Sequence, residues 1–341
     1  MIAGTSSIYK WIACILLVFL IPAFGQNSSS IESVGTSTAN FLKIGVGARA
    51  VAMGGAYVAL SEDVSAIYWN PGALARLSKN EAIIQQSNWL VDSKIYFVGA
   101  SYNFPLLGTL GLGFHYFTSG DIEETTLSAP DGTGRTFTAN DFSLNLAYSR
   151  RITERFSAGV ALKYIQETLD RESAGTIAVD IGSIFETNFF NGMRIGMSLS
   201  NLGGRMHFSG TDLSVQYTSN PQFPTKVIRA NLKTDDWDIP LLFRFGLASD
   251  VMKNDKYRLT LSSDVMDSRD FIHRIMVGGE FAFLEKVFLR GGYKFNYDEE
   301  KFSLGAGVNL NVMGSEMRLD YAYQDFGPFS NTQFFSFIFA F

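Results

Sequence analysis

The chain has 341 residues, 18% of them charged and 14% aromatic, with 30 Phe, 14 Tyr, 32 Gly and a formal net charge of −5. This composition is too apolar for a disordered chain, and the negative balance disfavours nucleic acid as a partner, because that role calls for a basic surface. Beyond the first 25 residues no stretch supplies the ~20 apolar residues of a spanning helix, whereas abundant aromatics and Gly suit many alternating strands.

Residues 1–25 read as a secretory leader. Lys10 gives the positive flank, Trp11 to Phe24 the apolar run, and Ala23-Phe24-Gly25 the small residues a signal peptidase needs, so cleavage is expected before Gln26. The run is too short for an anchor. The only cysteine, Cys14, precedes the apolar core of this leader, so it is not a lipid-attachment site and the mature chain has no thiol chemistry.

Residues 26–80 form the next unit. Within it, residues 41–77 lack alternation and are rich in Gly and Ala. Ser61, Glu62 and Asp63 resemble a helix start, where acidic side chains favour the positive end of the dipole. Asn70-Pro71-Gly72 would stop that helix, since proline pushes Asn70 out of the helical region and Gly72 permits the following turn. Gly45 to Ala50 match a loose Gly-x-Gly-x-x-Ala pattern, but no βαβ unit follows and a dinucleotide site is excluded. Asp63 and Asn70 read as capping and turn residues. Tyr68 and Trp69 suit packing against a wall or lining a hydrophobic passage.

From residue 81 to the end, apolar residues alternate with polar or small ones. The clearest case is Phe302, Leu304, Ala306, Val308 and Leu310, interleaved with Ser303, Gly305, Gly307, Asn309 and Asn311; a helix would need spacings of three and four. Fourteen strands are predicted, at 81–90, 94–104, 109–118, 138–149, 155–166, 175–187, 193–201, 239–249, 256–265, 272–283, 286–297, 301–311, 315–325 and 331–341. Each is near the length a tilted strand needs to cross a bilayer, and the count is even. The expected fold is therefore all-β: a 14-stranded antiparallel transmembrane β-barrel spanning 81–341, its greasy face towards outer-membrane lipid. The opposite face carries isolated charges among Gly and Ser, notably Arg244, Arg274, Glu280, Arg290, Arg318 and Asp320. Lys163, Asp180, Arg194, Arg258, Asp264 and Lys294 share that face, as in a lumen where opposite charges pair across strands. His115 falls there too, as an expected hydrogen-bonding residue.

Loop lengths alternate. The segments at 119–137, 167–174 and 202–238 are long and expected outside the cell, and the intervening turns are short, which would put both termini in the periplasm. The longest loop holds Pro221 and Pro224 and reads as a lid or a partner surface. The last strand alternates Phe335, Phe337, Phe339 and Phe341, ending on a terminal aromatic of the kind outer-membrane assembly machinery recognises.

Several elements in 41–77 carry a resemblance: Ala48-Arg49, Met53-Gly54-Gly55, Ala56, the acidic pair with Asp63 and Ser65, and Trp69-Asn70-Pro71-Gly72. The arrangement resembles the PorV/PorQ family and, more distantly, FadL-type outer-membrane transporters. The resemblance implies a FadL-like barrel in the outer membrane of a Gram-negative bacterium, with residues 26–80 folded inward as an N-terminal plug. Two departures stand out: Gly72 replaces the family's frequent Ala, and Gly47-Ala48-Arg49-Ala50 replaces the Asp-Ala-Arg-Ser element of the secretion shuttles. Arg49 would bind an acidic ligand or pair with a lumen carboxylate, Asp320 or Glu280.

Catalytic chemistry is missing. His115, His207 and His273 are widely separated, and no nucleophile elbow or phosphate-cradling loop occurs. No enzyme activity, metal or cofactor is expected. The resemblance implies an accessory or shuttle component of type IX secretion, whose partners would be translocon subunits and secreted cargo proteins. The alternative is FadL-like transport of a hydrophobic small molecule.

Overall fold

The computed structural model describes residues 35–218, 227–268, 270–312, 314–329 and 331–341. The expected leader, its cleavage site, Cys14, Pro221 and Pro224 lie outside them. Fourteen long strands follow one another: β1 (Glu81–Asn88), β2 (Lys94–Phe104), β3 (Gly108–Thr118), β4 (Ala139–Arg151), β5 (Phe156–Leu169), β6 (Glu172–Glu186) and β7 (Arg194–Gly203). Then come β8 (Leu242–Lys253), β9 (Tyr257–Ser268), β10 (Phe271–Phe283), β11 (Val287–Phe295), β12 (Phe302–Val312), β13 (Ser315–Asp325) and β14 (Asn331–Ala340). Each pairs antiparallel with the next, and β14 returns to β1 from Glu81↔Ala340 to Asn88↔Gln333. The cylinder is closed, so its sheet leaves no free edge.

All fourteen predicted strands are present, with bounds shifted by a few residues. The largest differences are at the β5–β6 hairpin and in β8. No long loop occupies 167–174, because β5 and β6 run on to a tight turn at Asp170, whose φ is +54°. Polar side chains there interrupt the apolar alternation from which the strand ends were expected. β8 starts at Leu242, three residues later than expected, and continues to Lys253. The connections at the opposite end are short, whereas 119–138 and 204–241 carry small hairpins of their own.

Alternation separates two environments. Ile84, Val98, Leu112, Leu146 and Leu162 point out of the cylinder and are 48–60% exposed. A continuous apolar band of this kind on a closed barrel is a lipid-facing surface. The inward positions bury Gln85, Ser87, Asn145, Lys163, Asp180, Glu280 and Arg290. Lys163, Asp180 and Asn201 hold an irregularity between β6 and β7: Lys163 Nζ lies 2.8 Å from Asp180 Oδ2, and Asn201 N–H donates to Asp180 Oδ1 at 2.7 Å.

Of the chain ahead of β1, the described segment 35–80 packs against the inner face of the cylinder. It contains a 3-10 turn (Asn40–Lys43), α1 (Ala48–Ala52), α2 (Ala66–Trp69) and a second 3-10 turn (Pro71–Arg76). Its backbone donors find acceptors on distant strands. Ala48 N–H donates to Ser336 Oγ of β14 at 2.7 Å, Tyr57 and Val58 N–H both donate to Asp264 Oδ2 of β9 at 2.8 Å, and Val64 N–H donates to Glu81 Oε2 of β1 at 2.9 Å. Side chains of the wall thus satisfy buried backbone that forms no regular ladder. The helix expected from Ser61 begins later, at Ala66. Ser61 Oγ donates instead to Tyr57 O at 2.7 Å, and the Asp63 carboxylate accepts Ser65 N–H at 3.0 Å.

Candidate functional site

Two features inside the barrel stand out: a buried ion network fastening residues 48–63 to the wall, and a cavity above it. In the network, Arg49 donates to Glu280 through Nε at 2.8 Å and Nη2 at 2.9 Å. Arg290 Nε reaches the same carboxylate at 2.6 Å and Arg258 Nη2 at 3.0 Å. Arg290 Nη1 continues to Asp320 at 2.6 Å, and Arg318 joins Asp320 at 2.9 Å to Asp63 at 2.5 Å. Of the two partners expected for Arg49, Glu280 is the one it meets. Burial opposes the charge on Arg49, yet Glu280 and Asp63 outweigh it and hold the guanidinium protonated. Burial likewise opposes ionisation of Asp63, but the guanidiniums of Arg318 and Arg49, with hydrogen bonds from Ser65 and Tyr57, hold its carboxyl below the usual range. Tyr57, buried and donating to Asp63 at 2.7 Å, stays a neutral phenol well past the ordinary tyrosine range. Breaking one member of such a network leaves an uncompensated buried charge, which costs about 3–5 kcal/mol.

Backbone contacts complete the attachment. Asn70 Oδ1 accepts Gly72 N–H at 3.1 Å, while Nδ2 donates to Val58 O at 2.9 Å and Ser183 O at 3.0 Å. Pro71 and Gly72 then press on β5 and β6. A Cβ on Gly72 would stand 2.7 Å from Ser183 Cα, which gives the departure from Ala at this position a steric cause. Gly54, at φ +67°, lies so close to β11 that a Cβ would be 3.0 Å from Tyr293 N. Met53 is wholly buried. The facing wall residues Gly159, Gly182, Gly196 and Gly292 are equally part of the contact, and the sequence reading did not single them out. Their signal was available: glycine at inward positions of period-two strands marks close backbone approach.

The cavity has a volume of about 740 Å³. Gly45, Gly55 and Trp69 contribute from the inner segment, while Trp89, Phe117, Trp237 and Tyr297 contribute from the wall and its loops. Trp69 Nε1 donates to Val46 O at 2.7 Å, and its ring meets those of Tyr68 and Tyr57 edge-on at 5.0 and 6.0 Å. Tyr68 donates to Leu42 O at 2.9 Å, and burial pushes its phenol up to about 12. Trp69 therefore both packs and lines the cavity. Arg244 and Arg274 also face it, apart from the ion network that takes in Glu280, Arg290, Arg318 and Asp320. His115, expected as a hydrogen-bonding residue, has no partner for either ring nitrogen among the described residues, and its ring packs against Phe41 at 5.4 Å and Tyr68 at 6.0 Å. Aromatic neighbours from the inner segment have displaced the polar partner that a lumen position suggested. Phe341 is 57% exposed beyond β14, its N–H donating to Asn80 O at 2.9 Å.

Residues 27–222, more than half of the chain, match the family described as Type IX secretion system protein PorV. The chain belongs to the PorV family. Among curated proteins none matches it in sequence. Solved structures resemble this PorV-family barrel in fold. A Pseudomonas aeruginosa FadL homologue aligns at 12% identity over 87% of this chain and 98% of that one, with a TM-score of 0.52. The P. putida toluene transporter TodX aligns at 11% identity over 87% and 97%, with a TM-score of 0.54. The Ralstonia pickettii toluene transporter TbuX aligns at 12% identity over 87% and 97%, with a TM-score of 0.52. The PorV-family chain is thus a FadL-like barrel of outer-membrane type and not an enzyme.

Proposed function

We propose that this protein is an accessory component of type IX secretion that works through protein contacts at the cell surface while its own lumen stays shut. The observation that carries the reading is the family match over 27–222. The interior agrees with it: an inner segment held by buried ion pairs and interlocked glycines suits a closed scaffold better than an open pore. In this reading residues 26–80 are the plug, 81–341 the barrel, and both termini are periplasmic with the long loops outside. Phe341 serves as the assembly signal. The partners are translocon subunits and secreted cargo. Affinity capture of the native barrel from solubilised membranes tests it; recovery of neither class of partner refutes it.

The cavity favours a second reading, a hydrophobic small molecule received from the outside. Uptake of aromatic hydrocarbons and long-chain fatty acids with and without the gene decides it, unchanged uptake counting against passage.

A further inference from the structure

We infer that the cavity above the inner segment is a binding site for a carboxylate carried on an aromatic body, with Arg244 and Arg274 as its anion-recognising residues. This deepens the cavity reading and does not depend on the secretion role.

The charges around the cavity are not equivalent. Lys43 is taken up by Asp270 at 2.5 Å and Lys294 by Glu300 at 2.7 Å. Arg244 is only 3% exposed, yet it forms no ion pair with any described carboxylate. Its Nη1 makes a marginal 3.4 Å contact with Ser200 Oγ, and its Nε has no partner among the described residues. Burying a guanidinium without a counter-charge is costly, and barrels of this kind otherwise pair such charges, as the Arg49–Glu280 network does a short way below. The same barrel therefore leaves one buried cation open towards a cavity. Arg274, half-buried, likewise has no ion pair among the described residues. Its guanidinium lies 3.7 Å from the Phe271 ring centroid and 4.1 Å from that of Tyr297, and its Nε also lacks a partner among the described residues. Stacking of this sort fixes the plane of the fork and leaves its edge available, the geometry in which arginine takes a carboxylate through two parallel hydrogen bonds.

The rest of the lining selects the body of the ligand. The sequence has four tryptophans, and the three beyond the expected leader, Trp69, Trp89 and Trp237, all line this cavity. They come from the inner segment, the β1–β2 connection and the β7–β8 loop, so local sequence does not bring them together. Flat, rigid walls of this kind favour planar rings over a flexible chain. Asp141 and Glu167, also on the lining, disfavour a second negative charge on the ligand. The occupant is a monocarboxylate with an aromatic body.

The same tryptophans supply the assay. The purified full-length barrel, reconstituted in lipid nanodiscs, is titrated with 2-naphthoate and with its uncharged isostere 2-naphthamide while tryptophan fluorescence is recorded. Naphthoate is expected to bind at least about tenfold more tightly than the amide, and Arg244→Gln to remove that preference. Arg274→Gln gives a second, independent loss, and heat-modifiable gel migration verifies that each variant is a folded barrel. Arg244→Lys, which keeps the charge and loses the fork, should recover only part of the preference. Equal binding of acid and amide, or a preference that survives both substitutions, overturns the inference while leaving a hydrophobic cavity standing. Binding of neither probe overturns both.

Discussion

Substituting Glu280→Gln removes one negative charge from the junction between the inner segment and the wall. Three guanidiniums converge on this fully buried carboxylate: Arg49 at 2.8 Å, Arg290 at 2.6 Å and Arg258 at 3.0 Å. They do not lose equally. Arg290 keeps Asp320 at 2.6 Å and Arg258 keeps Glu285 at 2.7 Å, whereas the one direct carboxylate contact Arg49 keeps among the described residues is Glu62 at 3.3 Å, 40% exposed. The deficit therefore falls on Arg49 and on the docking of α1. Loss of one partner from a buried pair costs about 3–5 kcal/mol, and at about 1.4 kcal/mol per tenfold the undocked population should rise by two to nearly four orders of magnitude. Hydrogen exchange of the detergent-solubilised barrel, followed by mass spectrometry, reads this directly. Peptides covering 47–60 should lose protection in the variant, and peptides from β3 and β4 should not. The double variant Arg49→Met with Glu280→Gln should recover much of the loss, because Arg49 is then no longer left as a buried charge without its partner. Unchanged exchange at 47–60 in Glu280→Gln would refute the view that this pair holds the segment in place.

Gly72→Val forces a side chain against the β6 backbone, where even a Cβ would be 2.7 Å from Ser183 Cα; overpacking of this sort costs about 1–3 kcal/mol and should expose the nearby backbone to protease while the barrel stays heat-modifiable. Acidification should loosen the same segment. The Asp63 carboxyl is held below its ordinary 3.8 in the docked state, so its contribution is present above that value and is lost as pH falls through the lower docked one. The Asp63 contribution to protease resistance of 47–60 should accordingly disappear in acid below the ordinary carboxylate range, and Asp63→Asn should lower that resistance already at neutral pH. Asp180→Ala strands Lys163 and the Asn201 N–H at the irregularity between β6 and β7; a loss of about 3–5 kcal/mol is expected, measured as a lower temperature of gel-shift loss. A fall no larger than that of an exposed outward substitution would refute it.

The barrel was legible because a lipid-facing wall obliges each strand to alternate, so Phe302 to Leu310 already displayed the two environments that the structure separates. The partner of Arg49 was legible up to a choice between two carboxylates. Both Glu280 and Asp320 face inward, and only the path of α1 places one within reach. The start of α2 was misread because Ser61 and Asp63 are both good caps in isolation. Tertiary contacts decide between them: Ser61 turns back to Tyr57 O, and Asp63 faces Arg318. His115 failed for a related reason, as period two gives the face a residue lies on but not which neighbours fill that space. The β5–β6 hairpin was hidden because polar side chains at the strand ends interrupt the apolar alternation. Gly159 and Gly182 were visible as inward glycines, but their purpose appears only when Pro71 and Gly72 are laid against them.

The acceptors that hold residues 47–64 have a consequence for the order of assembly. Asp264 lies about 200 residues further along the chain, and Ser336 sits in the strand that seals the cylinder. The segment 47–64 thus completes its set of native partners only after the last strand has closed against the first. Its docking reports a finished cylinder, and a half-built one would leave the Arg49 side chain and a run of backbone amides reaching into water.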